Sequence, residues 1–301
     1  MTTRPDQPGD SWLPTRLAPL AAASAGDTGA AFHLVSGLLS DGVPFPTILF
    51  EVLSPLEAEV GDRWHRGEWS VTEEHTVTST LETVVALLAG SFDIPEDARR
   101  LVVACAEGDN HSLPARMVAA HLVFQGWRAV FLGTGQPAVD LGAFLREKPP
   151  EALILSCAIA TALPGARACI REAHAAGVPV LAGGPGFGPD GARAHALGAD
   201  AWAPDAERVD EILQHWKPDP TEAEARAQDG GDELPRLDRS RAAVLARAVD
   251  SPNARQAAVD PTRRRFDLEL LLDALAASVL LDNPEVVVDL SDEPVVDSRA
   301  R

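Results

Sequence analysis

The stretch "LVVACAEGDNHSLP", residues 101–114, decides the fold. Its first five residues form a short apolar run, and a polar, glycine-containing segment follows directly. Alanine-rich segments of helical length separate it from four further apolar runs: "RAVFL" (128–132), "ALILS" (152–156), "VPVLA" (178–182) and "ADAWA" (199–203). Strands that alternate with helices in this way predict an α/β domain with a doubly wound, parallel, five-stranded sheet.

The residues upstream of this domain predict a helical bundle. Apolar side chains recur there at the three- and four-residue spacing of one helix face. The clearest sets are Phe32, Val35, Leu38 and Leu39; Ile48, Val52, Leu56, Val60 and Trp64; and Leu81, Val84, Val85 and Leu88. A weaker pattern from 13 to 23 adds a fourth helix, and four helices with short connections are typical of a bundle. Pro55 is expected to kink its helix, because proline cannot donate a backbone hydrogen bond.

The segment "WHRGEWSVTEEH" (64–75) connects two of these helices. Its glycine suits the left-handed conformation that ends a helix, and Ser70 with Glu73 predicts a capping box at the start of the next. Antiparallel packing would bring Trp64 and the Glu74–His75 pair to the same end of the hairpin. On this segment alone, a surface turn with a half-buried tryptophan is the simpler interpretation.

Composition limits the possible functions. The formal net charge of −19 argues against direct contact with nucleic acid, since phosphate binding requires clustered Lys and Arg. The three cysteines lack paired spacing, which favours reduced thiols over a disulfide framework. The sequence shows no apolar signal segment and no run long enough to span a membrane, so we expect a cytoplasmic protein without a membrane partner.

The length of 301 residues allows two domains and a small third part. We expect residues 1–95 to form the helical bundle, residues 96–217 the sheet domain, and residues 218–301 an acidic linker with a helical tail. The Pro, Gly and acidic residues of the linker are typical of a connecting segment. Apolar residues recur at helical spacing from 266 to 281, and that face would have to pack on the rest of the chain or on a partner.

Ligands of doubly wound sheets lie beyond the carboxyl ends of the strands, so the loops there carry the candidate site. In "DNH" (109–111), His111 could bind a metal through one ring nitrogen while Asp109 holds the other. One histidine cannot complete a protein-only metal site, so the remaining donors would have to come from a cofactor. Taken singly, the glycine-rich loops at 133–135 and 183–188 have structural explanations that are at least as simple.

The spacing of these loops resembles that of cobalamin-binding domains. "DNHSLP" (109–114) is similar to their D-x-H-x-x-G motif, which a Ser-x-Leu segment follows after about forty residues and a glycine pair after that. Here 41 residues separate Pro114 from "SCA" (156–158), and 24 more precede Gly183–Gly184. Pro114 and Ala158 replace the glycine and the leucine of the motif. Proline is acceptable in a first helical turn, so the loop tolerates it.

This resemblance covers about residues 14–216. It implies a four-helix bundle over the upper face of a corrin ring, followed by a Rossmann-like, flavodoxin-like domain that binds cobalamin from below. His111 would be the lower axial cobalt ligand, with Asp109 as its hydrogen-bonded partner. Ser156 and the Gly183–Gly184 pair would line the slot for the nucleotide tail of the cofactor.

The hairpin carries a second resemblance. Trp64, nine intervening residues and then Glu74–His75 form a W-x9-E-H pattern similar to that of the light-sensing, adenosylcobalamin-dependent regulators. In that family the tryptophan packs beside the adenosyl group and the glutamate helps to hold it. The histidine can take the vacated axial position after light breaks the cobalt–carbon bond. The resemblance therefore implies that Trp64, Glu74 and His75 bind the cofactor, with His75 as an upper cobalt ligand after photolysis.

Three functions stay open at this stage. The first is a cobalamin-dependent photosensor that uses adenosylcobalamin. The second is a corrinoid protein that carries methyl groups for a methyltransferase, with methylcobalamin as its cofactor, and the third is a storage or structural protein. We favour the first, because methyl carriers as a group are not marked by the hairpin pattern.

The photosensor interpretation predicts a regulatory protein without enzymatic activity and without catalytic residues. About a dozen residues precede the first predicted helix, too few for the DNA-binding domain that such regulators often carry. We therefore expect the output to pass through a regulatory protein partner or a homo-oligomer.

Overall fold

The computed structural model describes residues 13–216. Within this range, five parallel strands form one sheet in the spatial order β2-β1-β3-β4-β5. They are β1 (Arg100–Cys105), β2 (Arg128–Gly133), β3 (Ala152–Ser156), β4 (Val180–Gly183) and β5 (Ala201–Ala203). The predicted doubly wound sheet is confirmed, with the order of strands reversing between β1 and β3.

Helices cover both faces of this sheet. One face packs on α7 (Ala138–Glu147), α8 (Leu163–Ala175) and α9 (Ala192–Ala196), and the other packs on α6 (Ser112–Phe124) and α10 (Glu207–His215). In β1, Val102 and Ala104 belong to the core beneath α7, α8 and α9, whereas Leu101 and Val103 belong to the core beneath α6 and α10. Because both faces are buried, the strand sequences are continuous apolar runs rather than alternating ones.

The fourth and fifth strands begin two residues later than their apolar runs suggest. Pro179 cannot donate a ladder hydrogen bond, so pairing of β4 begins beyond it. The backbone N–H of Val180 is bound at 2.8 Å by the carboxylate of Asp200, the residue that precedes β5. The Asp200 carboxylate thus binds the first residue of β4 from the position that precedes β5.

The helical region contains the four predicted helices. They are α1 (Leu13–Ser24), α2 (Thr28–Ser40), α4 (Ser54–His65) and α5 (Val71–Ala89), with the three-residue helix α3 (Phe45–Thr47) and a π-helix (Ile48–Leu53) between α2 and α4. Val35, Ile48, Val60, Leu81 and Val84 lie in their common core. The predicted amphipathic faces are the buried ones.

The change from π-helix to α-helix occurs beside Pro55, where the sequence predicts a kink. Pro55 has no N–H to offer the carbonyl of Glu51, one turn earlier. Arg16 of α1 donates to that carbonyl instead, from Nε at 3.0 Å and from one Nη at 2.5 Å. The proline thus interrupts the regular helix and ties it to α1.

The bundle packs directly on α6. Leu113, Met117 and Ala120 of that helix belong to the core of the bundle, whereas Ala119 and Leu122 belong to a core of the sheet domain. Since α6 begins immediately after the loop that follows β1, this two-sided packing holds the bundle beside the carboxyl edge of the sheet.

Across residues 13–216, no helix has the length and apolar character needed to cross a membrane. The first twelve residues, the predicted acidic linker and the predicted tail helix at 266–281 lie outside the described residues.

Candidate functional site

The loop after β1 holds a histidine–carboxylate pair. Asp109 is fully buried, and its Oδ1 atom lies 2.8 Å from Nδ1 of His111. The same oxygen accepts the backbone N–H of His111 at 3.0 Å, and Oδ2 accepts the backbone N–H of Ala158 at 2.5 Å. Both carboxylate oxygens are therefore engaged, and they connect the loop after β1 to the loop after β3.

These contacts leave one ring nitrogen of His111 for a ligand. An ionised Asp109 can only accept, so neutral His111 carries its proton on Nδ1 and keeps a lone pair on Nε2. The side chain of His111 is 53% exposed, in contrast to its buried partner. A carboxylate in this position fixes the orientation of a metal-binding imidazole and raises its basicity.

The electrostatic surroundings of His111 also raise its basicity. The pKa of His111 lies above its ordinary value, chiefly because of the hydrogen bond with Asp109. Burial opposes the rise, and the charges of Asp109, Glu57 and Glu74 add to it. The two glutamates belong to the bundle, so carboxylates face the histidine from both sides.

The two departures from the sequence motif are accommodated locally. Ala158 contributes only its backbone N–H to Asp109, and every residue except proline supplies that group. Pro114 is the third residue of α6. Its missing N–H is therefore among the first four of the helix, which have no intrahelical partner in any case.

The predicted helix hairpin is confirmed. Gly67 has a φ of +69° after α4. The backbone N–H of Ser70 donates to the Glu73 carboxylate at 2.7 Å, and the N–H of Glu73 donates to Oγ of Ser70 at 3.2 Å. This reciprocal cap starts α5 and fixes where the next two residues, Glu74 and His75, lie.

Glu74 and His75 form a pair in the first two turns of α5. Oε2 of Glu74 lies 3.3 Å from Nε2 of His75, and Oε1 accepts the hydroxyl of Thr78 at 2.8 Å. The side chain of Glu74 is 25% exposed, whereas that of His75 is 74% exposed. Glu74 is therefore held in place, and His75 has room to change its orientation.

A cavity of about 860 Å³ lies between the hairpin and the loop after β1. Trp64, Glu74 and His75 line it from the bundle, and His111 lines it from the sheet domain. Asp109 lies behind His111 and braces it. The structure thus brings the two sequence motifs, which are far apart in the chain, to one cavity; we call it the upper cavity.

A second cavity, of about 650 Å³, opens at the carboxyl ends of β3, β4 and β5. The predicted residues Ser156, Gly183 and Gly184 line it, and we call it the slot. Glu57 and Pro114 line both the slot and the upper cavity, so the two spaces adjoin.

The two glycines of the slot are required for different reasons. Gly184 has a φ of +106°, and a Cβ there would lie 2.5 Å from the carbonyl oxygen of Cys157. The fold itself therefore demands glycine at 184. At Gly183 a Cβ would meet the carbonyl oxygen of Ala203 at 3.5 Å, an ordinary contact. The fold permits a side chain at 183, and only an occupant of the slot would oppose it.

Sequence reasoning missed three acidic residues of the upper cavity, Glu57, Asp62 and Glu82. Burial raises the pKa of Glu57 to about 7; the charge of His111 opposes this rise, and those of Glu74 and Glu82 add to it. The Oε1 atom of Glu82 is buried without a hydrogen-bond partner. The available signal was helical periodicity, since Glu57 lies two turns before Trp64 and Glu82 two turns after Glu74.

Two models of B12-binding domains match the chain. One B12 binding domain model matches residues 99–213, and a second matches residues 20–89. Together they span more than half of the 301 residues, and the chain belongs to the family of B12-binding domain proteins.

The chain is also similar to two individual proteins. The HTH-type transcriptional repressor CarH of Myxococcus xanthus is 30% identical over 137 residues, which are 44% of this chain and 46% of that protein. The chain thus spans about half the length of this relative. The monomethylamine corrinoid protein of Methanosarcina barkeri superposes with a TM-score of 0.57 at 19% identity, over 68% of this chain and 99% of that one. What it shares with this chain at that identity is the fold.

The residues present fit a bound cobalamin. His111 offers an oriented nitrogen donor, and the adjoining cavities offer separate spaces for a corrin ring and a nucleotide tail. The unpartnered Oε1 of Glu82 offers an acceptor to a donor that the protein does not supply. Among residues 13–216, no group of three or more His, Cys, Asp or Glu side chains could hold a metal ion.

Proposed function

We propose that this protein is a cobalamin-dependent regulator that senses light, with adenosylcobalamin as its cofactor. The observation that carries the proposal is the upper cavity, which Trp64, Glu74 and His75 line on one side and His111 lines on the other. The partial match to a transcriptional repressor supports a regulatory role. When bound, adenosylcobalamin would supply a cobalt–carbon bond that light can break.

His111 would hold the cobalt from below. Asp109 keeps the proton on Nδ1, which leaves Nε2 as the donor. Because Asp109 is fully buried and both of its oxygens accept backbone N–H groups, the imidazole is held before a ligand arrives. Ser156 and Gly183 would line the space for the nucleotide tail.

Trp64, Glu74 and His75 would act on the upper side. Trp64 offers a large apolar surface against which an adenosyl group can pack. Glu74 offers a carboxylate that Thr78 already positions. His75 would supply a second nitrogen donor to the cobalt after illumination, since its exposed side chain needs only to leave its contact with Glu74.

A change at the upper cavity would be transmitted through packing. Loss of a bulky upper ligand would leave empty volume beside Trp64, and packed interfaces do not tolerate missing volume. The bundle would then shift against the sheet domain and change the surface offered to another subunit or to a regulatory protein. We propose that the output takes this route rather than direct contact with nucleic acid.

The test compares the protein reconstituted with adenosylcobalamin before and after illumination, by absorption spectroscopy and by size-exclusion chromatography with and without candidate partners. We expect light to produce a spectrum with two histidine ligands and to change assembly or partner binding. His75→Ala should undergo photolysis without reaching that spectrum. The matched control is His33→Ala, at an exposed position on α2, which should behave as wild type.

The alternative function, a corrinoid methyl carrier, predicts a different result. Such a protein requires His111 and Asp109 but not the light response of the hairpin. If wild type and His75→Ala give identical photoproducts and neither changes its assembly, the photosensor proposal is wrong. Methyl transfer from bound methylcobalamin would then be the activity to measure.

A further inference from the structure

Apart from two histidines, the titratable side chains that line the two cavities are acidic. Carboxylate side chains line the upper cavity at four positions: Glu57, Asp62, Glu74 and Glu82. Further carboxylates line the slot: Glu51, Asp205 and Glu207. No Lys or Arg is among the described residues that line either space. A ligand with added negative charge would therefore meet repulsion from these carboxylates, with no lining Lys or Arg to pair with it.

Two of these carboxylates, Glu57 and Glu82, are placed to contact a ligand through a buried or partly buried oxygen. Glu74 is engaged by Thr78 and His75, whereas Oε1 of Glu82 is buried without a partner. Glu57 lies where the upper cavity meets the slot, and burial raises its pKa to about 7. Buried acceptors of this kind gain most from a ligand that brings N–H donors.

Arg116 lies near Glu82 but does not supply the hydrogen-bond donor that Oε1 of Glu82 lacks. The guanidinium of Arg116 lies 4.0 Å from the centre of the Phe131 ring, and its charge is felt by Glu82. Even so, Nε of Arg116 and Oε1 of Glu82 are both buried without hydrogen-bond partners. Arg116 offsets part of the charge of Glu82, so we expect the larger effect on ligand choice at Glu57.

We infer that Glu57 and Glu82 select corrinoids whose ring edge carries primary amides and reject those that carry carboxylates there. The inference rests on the proposed cobalamin site. A primary amide donates N–H to a carboxylate, whereas a ligand carboxylate can only accept. Two carboxylates placed together therefore lose the hydrogen bond and repel each other, which is selection by an unfavourable contact with the wrong ligand.

The experiment uses adenosylcobalamin and its monocarboxylic acids, in each of which one peripheral amide has been hydrolysed. Dissociation constants are measured in the dark at pH 8 by quenching of tryptophan fluorescence. We expect wild type to bind the least favoured acid at least about tenfold more weakly than the amide form, the scale of one lost charge-assisted hydrogen bond. If all acids bind within about twofold of the amide form, the inference is wrong.

Variants then assign the selectivity to residues. Glu57→Gln keeps an acceptor oxygen and adds N–H donors, so it should narrow the preference for the amide form about fivefold or more, with a smaller effect for Glu82→Gln. The matched control is Glu59→Gln on the same helix. Glu59 pairs with Arg63 at 2.7 Å and lines neither cavity, so wild-type selectivity should remain. Full selectivity in both Glu57→Gln and Glu82→Gln would contradict the assignment.

The outcomes separate this inference from the proposed function. Tight binding of adenosylcobalamin with equally tight binding of the acids overturns the inference and leaves the sensor proposal standing. Selective binding without a response to light supports the inference and overturns the sensor proposal. Failure of wild type to bind any of these corrinoids overturns both.

Discussion

Two histidine–aspartate pairs lie at opposite edges of the same sheet. His111 and Asp109 follow β1 at the carboxyl edge, whereas His174, near the end of α8, and Asp200, just before β5, lie at the amino edge. In each pair a ring nitrogen lies 2.8 Å from a carboxylate oxygen. The exposed fraction of the histidine side chain differs, at 53% for His111 and 4% for His174.

The difference shows that access, rather than pairing, separates a candidate ligand site from a structural contact. Both carboxylates also bind backbone N–H groups, Asp109 that of Ala158 and Asp200 that of Val180. Both therefore brace the chain. His111 lines a cavity large enough for a ligand, whereas the side chain of His174 is almost fully buried.

Truncating His111 and His174 should give the largest difference in cobalamin affinity between the two pairs. His111→Ala should lower the affinity for cobalamin by more than roughly a hundredfold and abolish the histidine-ligated spectrum, because the metal loses its donor rather than an outer partner. His174→Ala should retain both affinity and spectrum while lowering the free energy of unfolding by about 1–3 kcal/mol, since a buried carboxylate loses its partner. Cobalamin titration and denaturant unfolding check the two variants. An equal loss of affinity in both would contradict the distinction.

Truncating Asp109 and Asp200 tests the same distinction between the two histidine–aspartate pairs. Asp109→Ala should weaken cobalamin binding about tenfold to a hundredfold, because His111 loses the group that orients it. Asp200→Ala should leave binding unchanged, although the N–H of Val180 loses its acceptor. Titration of folded variants, verified by circular dichroism, gives the result. Wild-type binding by Asp109→Ala would return Asp109 to a purely structural role.

Substitutions at Gly183 and Gly184, at the carboxyl edge of the sheet, should change cobalamin affinity or stability by a smaller amount. Gly183→Ala should weaken cobalamin binding by several-fold, on the order of 1 kcal/mol, with little change in the stability of the empty protein. Gly184→Ala should destabilise the empty protein, because its Cβ would collide with the carbonyl of Cys157 at 2.5 Å. Calorimetry of ligand-free protein and titration separate the two. If Gly183→Ala binds as wild type, no ligand group passes close to that position.

The smallest effect concerns His121, a buried histidine with a partnerless Nδ1 that packs 5.4 Å from Phe50. Burial lowers its pKa, and the charge of Asp210 opposes this. The folded state therefore binds the proton less readily than the unfolded state. The stability that neutral His121 provides is complete above its ordinary pKa of 6.5 and is lost as the pH falls below it.

His121→Leu should flatten that acid dependence of the free energy of unfolding, measured by denaturant titration at a series of pH values. His33→Leu, at an exposed position, is the control and should keep the wild-type slope. An unchanged slope in His121→Leu would mean that other groups control the acid sensitivity.

The sequence alone predicted most of the architecture. The five apolar runs predicted the five strands, and β1, β2 and β3 lie within one residue of their predicted bounds. The capping box of Ser70 and Glu73 and the turn at Gly67 were also predictable. Such features depend on residues within a few positions of one another, so the local sequence contains the information.

The site was predicted only in part. Periodicity and motif spacing pointed to Trp64, Glu74, His75 and His111, whose cofactor roles stay predictions. Glu57 and Glu82 were not predicted, because a position two turns from Trp64 or Glu74 does not by itself show that a side chain lines a cavity. His174 and Asp200 were likewise not predicted as a pair, since 25 residues that include all of β4 separate them. The residues adjacent to His111 and His174 in the sequence do not indicate which of these histidines is exposed.

Residue types, helix caps, strand runs and the spacing of the motifs were determined by the sequence itself, because each depends on local hydrogen bonding or on the period of one element. The tertiary structure decided that α6 packs between the bundle and the sheet, and so brings Trp64 and His111 to one cavity. It also left Oε1 of Glu82 buried without a hydrogen-bond partner. These properties depend on side chains that are distant in sequence and meet only when the cores pack, and such packing has no local signature.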